Sequence, residues 1–167
     1  GEGSGTSELF YLHMAQHRLD MDVIYIKPAR VGDLAWLDEN GNGLVDEGEP
    51  GIPGVTVQLL QDGEAVYETV TDAYGYYLFT DVYPGAYTLV AKAYPELTPT
   101  SQVEALRIIS SCLVGGDGTE AHSDPFEVES GSLNVNYDLG YLLREGESLP
   151  SAITAPPTRD WTLSNTK

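Results

Sequence analysis

The run Asp38-Glu-Asn-Gly-Asn-Gly-Leu-Val-Asp-Glu-Gly-Glu49 carries the most specific chemistry in the sequence, because it fits the calcium-loop pattern D-x-[DN]-x-[DN]-G-x5-E at every fixed position. Calcium is a hard cation that takes about six to eight oxygens at roughly 2.3–2.6 Å, so a loop that binds it must offer an oxygen at every second residue. Asp38, Asn40 and Asn42 supply side-chain oxygens at the first, third and fifth positions. Gly43 takes the sharp turn that lets Leu44 offer its carbonyl. Asp46 stands where ligation often runs through water, and Glu49 can close the shell with both oxygens. Calcium is the expected cofactor, and these residues are its expected ligands.

Other chemistry-bearing residues are weaker. His13 and His17 stand four apart, as two ligands on one helix face would, but no third ligand is evident nearby. His122, Ser123 and Asp124 share one loop in this reading. A catalytic triad needs residues brought together by the fold around a nucleophile at a strained turn, so no enzyme is expected. Asp72, Asp117 and Glu120 are acids in turns that could hold further calcium, or could simply be solvated. Tyr74 and Tyr83, also in turns, are the aromatics expected to be exposed, and on them rests an alternative role in binding a glycan or a host protein. Cys112 is the sole cysteine, which excludes an intramolecular disulfide and reads as a small buried apolar residue.

The elements that must position the loop are strands. Val31 to Leu37 is short and apolar, and Pro50-Gly-Ile-Pro-Gly54 forbids a helix after Glu49, so the loop is not that of a helix-loop-helix sensor. Val55, Val57 and Leu59 alternate with polar residues, and Gln61-Asp-Gly-Glu64 turns the chain into 65–71. Further turns lead into Tyr76-Tyr-Leu-Phe79 and into 87–92. The stretch Val103 to Val114 is ambiguous between strand and short helix, and Gly115-Gly-Asp-Gly118 is read as ending it. Leu133, Val135, Tyr137, Leu139 and Tyr141 read as one face of a last strand. Residues 8–20 fit neither period.

The whole chain carries 8 Lys and Arg against 26 Asp and Glu, a net charge of −18 over 167 residues, which repels nucleic acid and anionic lipid and attracts cations. Neither an apolar run long enough to cross a bilayer nor a leading segment like a signal peptide is seen, so no membrane insertion is expected. The chain reads as a segment of something longer. Residues 1–28 form a flexible lead plus the end of a preceding repeat, since Met21-Asp-Val-Ile-Tyr-Ile-Lys-Pro28 resembles Val135-Asn-Tyr-Asp-Leu-Gly-Tyr-Leu142. Residues 29–143 form the domain, and 144–167, with Pro156-Pro157, a linker or disordered tail.

In order along the chain, Val31-Gly-Asp-Leu-Ala-Trp36, the Asp38–Glu49 loop, Gly51-Ile-Pro-Gly-Val-Thr-Val57, Thr71-Asp-Ala-Tyr-Gly-Tyr-Tyr-Leu-Phe79 and Pro84-Gly-Ala-Tyr-Thr-Leu89 resemble the SdrD B-like repeats, calcium-binding relatives of collagen-adhesin B-type domains. The resemblance implies an all-β, antiparallel immunoglobulin-like or transthyretin-like sandwich with Greek-key connections. It also implies a calcium-stiffened stalk module of an extracellular bacterial surface or secreted protein, a monomer whose partners are neighbouring repeats. Many collagen-adhesin B-type domains cross-link a first-strand Lys to a last-strand Asn beside a buried acid. Lys27 and Asn134 or Asn136 match the first two, but Ala91 stands at the acid's position, so no cross-link is expected. Leu149-Pro-Ser-Ala-Ile153 begins like a sortase signal but lacks its Thr and Gly.

Overall fold

A computed structural model describes residues 25–103 and 110–153. The strands are β1 (Ala29–Leu37), β2 (Thr56–Gln61), β3 (Glu64–Val70), β4 (Tyr76–Val82), β5 (Gly85–Lys92), β6 (Leu97–Pro99), β7 (Leu113–Gly116), β8 (Ala121–Ser123), β9 (Phe126–Val128), β10 (Leu133–Asn134) and β11 (Leu139–Leu143). They form two sheets. One holds β10, β1, β11 and β6, with β4 also paired to β1; the other runs β3-β2-β5-β8-β7, with β9 on β5. Among the described residues no helix is long and apolar enough to cross a membrane.

The β2–β3 hairpin follows from its turn. Asp62 and Gly63 both take positive φ, 53° and 83°, the two-residue geometry whose twist matches the flanking strands. Val57 and Leu59 then point inward, fully buried, to meet Leu89 and Ala91 of β5. The opposite sheet adds Val31, Ala35, Tyr77, Phe79, Leu139 and Tyr141, and one core fills the space between. Cys112 is buried, as its reading as a small apolar residue expected.

Most pairings are antiparallel, but the first strand meets the last in parallel: Arg30 and Val31 sit beside Leu133 and Asn134, and Ala35 to Leu37 beside Leu139 to Tyr141. Between Val31 and Ala35 the first strand advances four residues while its partner, from Asn134 to Leu139, advances five. The extra residue reverses the faces. Leu139 and Tyr141 are therefore buried while Leu133 is 56% exposed, which corrects the reading of residues 133–141 as one continuous face.

Other readings are corrected too. Gly115 and Gly116 lie within β7, and the turn comes after them, closed by the Asp117 N–H bond to the Glu120 carbonyl. Strands β6, β8 and β9 were not expected; at three residues each they are too short to show a period. The chain beyond Leu143 is not linker from its first residue, because Ile153 is 1% exposed and belongs to the core. The boundary set within 1–28 lies largely outside the described residues, as do His13, His17 and the middle of the 103–114 stretch.

Candidate functional site

The acidic loop leaves β1 at Leu37 and is closed at its base. The Leu37 N–H donates to the Pro50 carbonyl at 2.9 Å, and the Asp38 N–H donates to Tyr141 on β11 at 2.7 Å. Asp38, 1% exposed, turns its carboxylate into the loop. One oxygen accepts from the N–H groups of Gly41 at 2.8 Å and Asn42 at 3.2 Å; the other accepts from Gly43 N–H at 2.8 Å and from the Thr100 hydroxyl. Glu49, 5% exposed, spans the loop from the far end, accepting from Glu39 N–H and Asp46 N–H, each at 3.0 Å. Gly43 sits at φ +77°, and a Cβ there would fall 2.2 Å from the Ser101 carbonyl oxygen. Only glycine lets the main chain at Ser101 press this close.

The structure brings Asp38, Asn40, Asn42, Asp46 and Glu49 into one loop with an all-oxygen donor set, the Leu44 carbonyl being its main-chain candidate. The two asparagines are turned, however. Their Nδ2 groups both donate to Asp46 Oδ2, at 2.8 and 2.6 Å, while their Oδ1 atoms accept from the N–H groups of Asn42 and Leu44. Ligation by both side-chain oxygens would require the amides to rotate. The asparagine bonds hold the Asp46 carboxyl below the usual range. Burial first, then the nearby Asp38 and Asp46 charges, push Glu49 up, against the pull of its N–H bonds to Asp46 and Glu39. Among the described residues no group of three or more His, Cys, Asp and Glu could hold a metal by itself. A cation here would therefore rely on amide and main-chain oxygens as well. The donor chemistry fits a hard cation: two buried carboxylates, no cationic side chain bonded to them among the described residues, and a base fixed on two strands.

The remaining candidates separate. Asp72 caps its own turn, accepting from the N–H groups of Tyr74 and Tyr76, and Asp117 does the same for Thr119 and Glu120. Glu120 pairs with Lys92 at 3.6 Å. These three acids do not make a cluster. The Ser123 hydroxyl accepts from Leu89 N–H and donates to the Asp124 carbonyl, and His122 lies in β8 with its ring against Gly115, in a strand rather than the expected loop. Lys27 is exposed, with its main chain tied to Ser130 and Gly131; Asn134 Nδ2 donates to Ser132; and Ala91 is fully buried in the core.

The profile of the SdrD B-like domain family matches residues 29–141, more than half of the chain. The chain belongs to the SdrD B-like domain family. Staphylococcus aureus serine-aspartate repeat-containing protein D is 42% identical over 83 residues, 48% of this chain and 6% of that protein. Dictyostelium discoideum Colossin-B is 40% identical over 77 residues, covering 41% of this chain and 2% of its own length. The chain thus spans a small fraction of these relatives. Because they come from a bacterium and from Dictyostelium, membership of the SdrD B-like family does not by itself assign a bacterial source. Among solved structures, the Streptococcus agalactiae minor pilin GBS52 is similar at 15% identity over 77% of this chain and 50% of its own, with a TM-score of 0.39. The acidic loop, the base on β1 and the first three residues of the partner strand β11 fall within the matched SdrD B-like residues, whereas Ile153 does not.

Proposed function

We propose that the chain is a non-catalytic spacer module of an extracellular, surface-anchored or secreted protein, in which a calcium ion held by the Asp38–Glu49 loop stiffens the junction between the first and last strands. The observation that carries this reading is the placement of buried Asp38: its main chain is bonded to β11 and its carboxylate organises the loop. Asp38, Asp46, Glu49, the Leu44 carbonyl and the rotated amides of Asn40 and Asn42 would hold the ion. Bound calcium would supply positive charge where acids otherwise repel one another. Family membership supports the structural role. The partners are then neighbouring repeats, and nothing in the reading requires nucleic acid or lipid.

Extracellular calcium modules bind with dissociation constants of about 10⁻⁴ to 10⁻³ M, so an ion at ten times its constant adds about 1.4 kcal/mol. Melting in chelator and in millimolar calcium is expected to show this gain for the parent chain, and little of it for Glu49→Gln. Identical parent curves would overturn the calcium assignment.

A glycan- or host-protein-binding role has less support from the expected aromatics. Tyr74 and Tyr83 are exposed, at 46% and 61%, but they flank the seven-residue β4 and so stand roughly 25 Å apart, not in one patch. An open groove of about 480 Å³, lined by Tyr76, Leu78, Leu133 and Val135 together with Arg30 and Asp72, is the surface such a role would use.

A further inference from the structure

Beyond the matched family residues the chain turns back on itself. The Arg144 N–H donates to the Glu96 carbonyl at 2.9 Å and its Nη1 to the Pro95 carbonyl at 3.0 Å, which fixes the chain just beyond β11 against the entry of β6. A tight turn follows, closed by Glu147 N–H on the Arg144 carbonyl at 3.1 Å, and its residues are exposed. The next six residues then return to the protein. Leu149 packs against the core, the Ile153 N–H closes a second turn on the Pro150 carbonyl at 2.9 Å, and the Ile153 side chain, 1% exposed, joins the same apolar cluster as Leu97 and Leu113.

We propose that residues 144–153 are a detachable strap: a segment added to the family domain that closes over it through one aliphatic plug, Ile153, and can open without unfolding the sheets. Three features support separability. The strap contributes no strand to either sheet, so releasing it breaks no ladder. Its hinge is an exposed turn held by bonds of the Arg144 main chain and guanidinium that do not involve the plug. Its apolar hold rests on Leu149 and Ile153, whereas β11 is held by the buried Leu139 and Tyr141 together with pairings on both sides, to β1 and to β6. Local openings follow such differences, with weakly packed segments exchanging before the core does. Opening would expose the apolar surface that Ile153 covers, and would lengthen the chain on its C-terminal side before the sandwich yields. This strap is independent of the calcium reading.

The test is hydrogen exchange and melting of the full chain with Ile153→Ala and Ile153→Val. For Ile153→Ala the expected result is a melting temperature lower by about 5 °C or more, with at least tenfold faster exchange at Ile153 and unchanged protection of residues 139–143. Ile153→Val, which keeps a branched plug, should recover most of the loss. The proposal is overturned if Ile153 exchanges in the parent as fast as an unstructured peptide. It is equally overturned if Ile153→Ala lowers protection of 139–143 along with that of the strap, because the segment would then be an integral part of the core. Calcium titration of both variants should match the parent, so failure of the calcium reading leaves this test intact.

Discussion

At the scale of single residues, the loop is organised by what Asp38 receives. Its carboxylate accepts four hydrogen bonds, three from main-chain N–H groups and one from the Thr100 hydroxyl. The pattern from Asp38 to Glu49 was legible in the sequence because its spacing follows from the turn geometry. Thr100 was not, since it lies 62 residues away and only the packing of the segment after β6 brings it there. Thr100→Val keeps the shape and removes the hydroxyl, leaving one side of a buried carboxylate short of a donor. A hydrogen bond to a charged group contributes about 1.5–3 kcal/mol, so denaturant unfolding in chelator should show a loss of that order. If Asp38 also ligates calcium, the gain from millimolar calcium should be larger in this variant than in the parent, because the ion would take the place of the missing donor. A variant as stable as the parent would mean that Thr100 merely fills space.

At the scale of elements, the long alternating strands were readable and the short or offset ones were not. Val57 and Leu59 announce β2 by period, and Asp62-Gly63 announces its hairpin by turn chemistry. The extra residue between Asn134 and Leu139 leaves no mark in an alternation that continues unbroken from Leu133 to Tyr141; only pairing with β1 reveals it. Deleting Asn136 removes that extra residue, so the partner also advances four residues and both halves can pair with β1 in one unbroken register, Leu139 and Tyr141 still facing inward. The variant should therefore fold with little loss of stability in denaturant unfolding. Amide exchange checks both halves: protection of Arg30, which donates to Ser132, and of Asp38, which donates to Tyr141, should both remain. Protection lost at Arg30 and kept at Asp38 would mean that the extra residue is needed to seat β10.

At the scale of the whole molecule, the parallel pairing of β1 with β11 decides how load passes through the domain. The chain enters at the start of β1 and leaves at the end of β11, and in a parallel pair these points lie at opposite ends of one ladder. Tension between them acts along the strands, so the bonds from Ala35 to Asp38 share the load and must fail together. The β2–β3 hairpin has the opposite geometry, since pulling Thr56 from Val70 opens the antiparallel pair one bond at a time from its free end. With Cys112→Ala as background, single-molecule attachment through cysteines at Arg30 and Leu143 should therefore need several-fold more force than attachment at Thr56 and Val70. Calcium should raise the first force and leave the second nearly unchanged, because the acidic loop is anchored to Tyr141 at the end of that ladder and not to the hairpin. Equal forces along the two axes would remove the mechanical basis of the spacer role, whatever the loop binds.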